Sequence, residues 1–135
     1  LTVGCSLLNM NISINSYAVC DDAKYFRDKV LKDIADWTDK YTISMDMNRL
    51  VIFTNDNYIG PGYGIANKDI FDVIKLVAKI EGVVLDPVYT GKAFYGMVED
   101  IKQGLFRGES DIVFLHTGGL FGLLAQQQLL ELQVE

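Results

Sequence analysis

The chain has 135 residues, enough for one domain and short for two. Half of them are hydrophobic and 22% are charged, a balance that builds a core and argues against disorder. The net charge of −6 disfavours nucleic-acid binding, which needs a basic patch, and no apolar run approaches the roughly eighteen residues of a membrane span.

Leu1 to Leu8 is apolar and reads as a strand or the end of one. Ser13 to Cys20 alternates loosely and reads as a second short strand. Asp21 and Asp22 then stand where a helix N-terminus wants acceptors and negative charge. From Ala23 to about Lys40, Phe26, Val30, Ile34 and Trp37 form one apolar stripe at helical spacing. Arg49 to Thr54 reads as a buried strand and leads into a loop from Asn55 to Ala66. Asn67 is a good N-cap for a helix from Lys68 to Glu81, and Gly82 suits its C-terminal turn. Val83 to Leu85 is a brief extended run, and a helix is predicted from about Lys92 to Gln103, stopped by Gly104. Asp111 to Leu115 reads as a buried strand, followed by His116-Thr117-Gly118-Gly119 and a helix from Leu120 to about Leu132. Short apolar runs alternating with helices predict a single α/β unit over residues 1–135. The expected architecture is a three-layer, open and mainly parallel sheet.

In such sheets ligands bind beyond the carboxyl ends of the strands, and three loops fall there: Gly60 to Gly64, Asp86 to Lys92, and His116 to Gly119. In the first, Tyr63 stands among glycines that a turn alone would explain. In the second, a hydroxyl of Tyr89 or Thr90 can cap the helix, and Lys92 is either an anion ligand or a solvated lysine. In the third, glycines after a strand allow a ligand close to the backbone, while His116, the one histidine, is either a base or a hydrogen-bonded structural residue. There is no GxGxxG, no GxxxxGK[ST], no GxSxG and no cluster with metal-ligand spacing. Cys5 and Cys20 form no CxxC, so reduced thiols in an intracellular, cytoplasmic setting are expected. A hydroxyl-rich site with few carboxylates suits an enzyme whose cofactor carries the hard chemistry.

The segment EGVVLDPVYTGKA, Glu81 to Ala93, together with FLHTGG, Phe114 to Gly119, and YAVCDDAKYF, Tyr17 to Phe26, resembles a known family. These stretches are similar to the C-terminal part of D-cysteine desulfhydrases and 1-aminocyclopropane-1-carboxylate (ACC) deaminases. Those are pyridoxal-phosphate enzymes of the tryptophan synthase β-like fold type II. The resemblance runs from about residue 1 to about residue 125.

It implies that Tyr63 and Tyr89 are the two active-site tyrosines, which flank the substrate in proton transfer or positioning. It implies that Thr90, Thr117 and Gly118 lie at the cofactor, with the two threonines also facing the substrate. ACC deaminases carry Glu and Leu at the threonine positions and desulfhydrases carry Ser or Thr, so this chain is similar to the desulfhydrases. The implied reaction turns D-cysteine and water into pyruvate, hydrogen sulfide and ammonia, in an enzyme that is usually a homodimer. The resemblance also implies a Schiff-base lysine segment and a glycine-rich phosphate loop, and neither motif occurs here. The chain is therefore expected to be the C-terminal portion of a longer enzyme and inactive alone. The alternatives are an ACC deaminase of the same family and a non-catalytic α/β binding or assembly module.

Overall fold

The computed structural model describes residues 1–130. A parallel pair of strands, β1 (Asn15–Tyr17) and β2 (Phe53–Asn55), is joined by the long helix α2 (Ala23–Tyr41). Parallel strands need such a crossover, because a tight turn can join only antiparallel neighbours. Asn15 pairs with Phe53, Ser16 with Thr54 and Tyr17 with Asn55. Around this unit lie α1 (Thr2–Leu7), α3 (Lys68–Glu81), α4 (Thr90–Gln103) and α5 (Leu120–Ala125). The α/β reading with a parallel sheet holds, and the sheet is narrower than expected, with two strands among the described residues.

Helix ends follow local chemistry. The Asp22 carboxylate accepts from the Tyr25 amide at 2.6 Å, and Asp56 reaches the Ala23 amide at 2.8 Å. Asn67 accepts from the Ile70 amide at 3.1 Å and starts α3. Gly82 and Gly104 end α3 and α4 with φ of 65° and 80°, a left-handed turn that side chains resist. The core joins Ile70, Phe71, Ile74 and Val77 of α3 to Leu85, Leu123 and Leu130. Phe94 and Tyr95 of α4 and Phe114 pack against it.

A second buried cluster ties α4 to the sheet. Asp100, 3% exposed, accepts from the hydroxyls of Tyr17 at 2.8 Å and Tyr58 at 2.7 Å and from the Asn55 side-chain amide at 2.9 Å. The two rings close over Gly96, where an added Cβ would meet carbons of both at 2.7 Å. Only glycine lets the helix approach the tyrosines this closely.

Several strand expectations are corrected. Leu1 to Leu8 is not a strand; Thr2–Leu7 is a short helix with none of its residues buried. An apolar run without clear periodicity fits either element. Within Arg49 to Thr54 the strand begins only at Phe53, after a 3₁₀ turn at Met47–Arg49. Val83 to Leu85 and Asp111 to Leu115 belong to no strand, and Val113 is 87% exposed. An apolar segment becomes a strand only when a neighbour completes its ladder. On α2 the expected stripe is only partly covered: Ile34 is buried, whereas Val30 is exposed. The last helix ends at Ala125 and gives way to a 3₁₀ turn at Gln127–Leu129; the expected end at Leu132 lies outside the described residues.

Candidate functional site

The start of α4 is organised by one carboxylate. Asp86 is fully buried and accepts from the amides of Val88 at 2.8 Å, Tyr89 at 2.9 Å and Thr90 at 2.8 Å. It also accepts from the Thr90 hydroxyl at 2.7 Å, while that hydroxyl accepts from the Asp86 amide at 2.9 Å. Burying an acid without a cation is tolerable because every bond is charge-assisted and supplied by its own loop. Two expectations change here. The helix starts at Thr90 and not at Lys92, and the acceptor that orders its entry is Asp86 and not a hydroxyl of Tyr89 or Thr90. An Asp followed by a helix start was the available signal.

This turn presents Tyr89, whose hydroxyl is hydrogen-bonded to that of Tyr63. The rings meet edge to face with centroids 6.0 Å apart, and both phenols reach solvent. The bond to Tyr63 holds the Tyr89 phenol protonated above its ordinary range, with burial and the Asp86 charge adding to the effect. At neutral pH the Tyr89 phenol is thus a proton-holding donor, not a base.

Tyr89 and Thr90 also line a cleft of about 390 Å³ with Thr117, between Phe26, Phe53 and Phe114. The structure thus brings four of the resemblance-implied residues together, although Tyr63 meets the others through Tyr89. Thr117 is exposed on the cleft, whereas the Thr90 hydroxyl is buried and engaged with Asp86. Gly118 sits at φ 99°, and its amide donates to His116 Nδ1 at 3.0 Å. The other ring nitrogen, Nε2, donates to the Val84 carbonyl at 2.9 Å. His116 therefore staples two extended segments and has no ring nitrogen left over for a substrate.

Lys92 is neither the anion ligand nor the solvated lysine of the sequence reading. Its side chain is fully buried, and its ammonium donates to the carbonyls of Ile59 and Gly62 at 2.7 Å and Val19 at 3.4 Å. Burial pulls its pKa below the usual lysine value.

These groups fit one face of pyridoxal phosphate. The cleft offers hydroxyl donors for polar ring substituents and apolar walls for the ring. A free ammonium for Schiff-base attachment is not offered at the cleft by Lys92, whose three N–H donors are spent on carbonyls. Gly119 offers no place for a phosphate, since a Cβ on it would fall 2.3 Å from an Asp86 carboxylate oxygen, whereas the space beside Gly118 is open.

Comparison with known proteins identifies the family. Residues 10–118 match the family model described as pyridoxal-phosphate dependent enzyme. A Thermotoga maritima protein named "Putative 1-aminocyclopropane-1-carboxylate deaminase" is 40% identical over 131 residues, covering 96% of this chain and 40% of that protein. A crystal structure of an ACC deaminase homologue superposes with a TM-score of 0.81 at 31% identity, covering 96% of this chain and 38% of the other. The chain thus spans about 40% of the length of the relatives it matches. With most of its length matched by the family model and the same fold in a solved homologue, the chain belongs to the pyridoxal-phosphate-dependent enzymes of fold type II.

Proposed function

We propose that the chain supplies one wall of the active site of a D-cysteine desulfhydrase, the other wall coming from residues outside these 135. The reaction is α,β-elimination: D-cysteine and water give pyruvate, hydrogen sulfide and ammonia. The observation that carries the reading is the pairing of Tyr89 with two threonines, Thr90 and Thr117, on one cleft. When bound, pyridoxal phosphate supplies the electron sink that stabilises charge at the substrate Cα. On this reading Thr117 and the Gly118 turn hold one edge of the cofactor, with Thr90 behind them, fixed by Asp86. Tyr63 and Tyr89 orient the substrate, and the protonated Tyr89 phenol delivers its proton to the departing sulfur. A cleft wall of hydroxyls in place of a carboxylate would supply no charge to keep the cofactor ring protonated, and the sink would be weaker for it. A thiol is a good leaving group and tolerates that, whereas opening a cyclopropane asks for more.

A second reading, ACC deamination, is favoured by the names of both relatives. The two assays separate them: with pyridoxal phosphate supplied, the intact protein is expected to release sulfide from D-cysteine and little ammonia from ACC. The reverse result overturns the desulfhydrase reading. The double variant Thr90→Glu, Thr117→Leu is expected to lower sulfide release at least tenfold and to raise turnover of ACC. If it gains no ACC activity, the electronic account of the threonine pair fails. The 135-residue polypeptide by itself is expected to show neither visible cofactor absorption nor sulfide release. We further propose that the intact enzyme is a cytoplasmic homodimer acting on a small amino acid; among the described residues no helix is long and apolar enough to cross a membrane.

A further inference from the structure

The site described above rests on a contact between two tyrosines 26 residues apart, and nothing in their own bond fixes where the two backbones stand. Tyr89 has a rigid base, the Asp86-ordered turn at the start of α4. Tyr63 does not. It lies in Gly60-Pro61-Gly62-Tyr63-Gly64, where all three glycines have positive φ, of 73°, 154° and 73°. Such a backbone has many alternatives open to it and needs an outside hold to keep one.

Two side chains reach this loop from elsewhere. Gln126 donates to the Gly64 carbonyl at 3.0 Å, and Lys92 donates to Ile59 and Gly62, on either side of Gly60-Pro61. Gly62 immediately precedes Tyr63. Lys92 stands three residues after Tyr89 in the first turn of α4, so one rigid turn carries Tyr89 and grips the loop that carries Tyr63. The third bond, to Val19, adds the segment after β1 to the same grip. Three N–H donors meet three carbonyls, which fits a charged ammonium. Among the described residues no carboxylate bonds to this ammonium, and burying a cation without one is expensive; a leucine or methionine would fill the position at no such cost.

We propose that Lys92 is a positioning residue: it clamps the Ile59–Gly62 backbone to the start of α4 and so sets the contact between Tyr63 and Tyr89. This rests on the reading of those tyrosines as the reacting pair, and the test separates the two ideas. In the intact protein, Tyr89 is labelled at its ring carbon for NMR and titrated, with Tyr63→Phe marking the value without its partner. The parent is expected to titrate above Tyr63→Phe, and Lys92→Met is expected to fall to the Tyr63→Phe value. The same variant is expected to lose 30- to 100-fold in kcat on D-cysteine with KM changed less than threefold, the order of loss that about 1 Å of misplacement causes. A parent in which Tyr89 titrates as in Tyr63→Phe overturns the proposal. So does a Lys92→Met protein with parental titration, whatever its melting temperature. Should Lys92→Met not fold, Lys92→Gln is read in its place: its shorter, uncharged amide serves at most two of the three carbonyls, so Tyr89 is expected to fall part of the way to the Tyr63→Phe value, and parental titration overturns the clamp. If the parent releases no sulfide from D-cysteine, the substrate reading falls, and the titration still decides the role of Lys92.

Discussion

The two ends of α4 each bury one carboxylate with no bonded cation among the described residues, and they do so by opposite means. At the N-terminal end Asp86 collects donors two to four residues away, all from its own turn. At the other end Asp100 collects donors 42, 45 and 83 residues away, from three separate segments. The first arrangement orders a loop and leaves its tyrosine pair facing solvent. The second pulls β1, β2 and the Tyr58 turn onto the helix and hides the result. Local satisfaction thus leaves side chains free to meet a ligand, and long-range satisfaction uses them up in holding the fold. On the proposed reading the contrast separates chemistry from stability along a helix of fourteen residues.

The sharpest way to break this division is to remove one hydroxyl at the first end. Tyr89→Phe in the intact enzyme is expected to lower kcat about 100-fold, the usual weight of a positioned proton donor. Its unfolding midpoint is expected to stay close to that of the parent, because the hydroxyl's bond, to that of Tyr63, lies on the surface. At the other end Asp100→Ala is expected to cost about 3 kcal/mol, since the buried Asn55 amide and the half-buried phenols of Tyr17 and Tyr58 lose a charged acceptor at once. Urea unfolding measures the loss, and kcat per folded molecule is expected to be unchanged. A Tyr89→Phe protein that is mainly unstable, or an Asp100→Ala protein that is stable and slow, would erase the distinction.

The same division explains what could be read in the sequence. Helix α3 was legible because Asn67, the apolar spacing of Ile70, Ile74 and Val77, and Gly82 all act within a few residues. Asp86 could have been found the same way, as an acid two to four residues before the amides of a helix start. Asp100 could not, because no local pattern announces donors as far off as Tyr17. Extended backbone at Asp111 to Leu115 was visible as an apolar run, but pairing depends on a neighbour that the run does not contain. At the site, residue-level reading of Gly60 to Gly64 and Asp86 to Lys92 found turns, a cap and a lysine that was either an anion ligand or solvated. Tyr63 and Tyr89 were singled out through the family resemblance, and their contact is a long-range fact. Lys92 was misread because its three acceptors are carbonyls, which carry no residue signature.

The smallest expected effect comes from alkaline pH and compares the two ends directly. The Tyr58 phenol is pushed up to about 12 by its bond to Asp100, with burial adding, and Tyr17 is raised further, first by burial and then by Asp100. Unfolded tyrosine titrates near 10. Below pH 10 both states keep the proton, so the stability these bonds contribute is fully present. As pH rises from about 10 through 12 the unfolded chain ionises first, and stability is lost progressively. Urea midpoints measured from pH 8 to pH 11.5 are therefore expected to fall in the upper part of the range. Tyr58→Phe removes one of the ionising groups and is expected to make that fall shallower. Tyr89 is also raised, but it stands at the surface, where solvent weakens the linkage. Tyr63→Phe, which removes the main cause of that rise, is expected to change the slope less than Tyr58→Phe does. If the two substitutions flatten the curve equally, the tyrosine pair at the first end is holding the fold as firmly as the Asp100 cluster at the other.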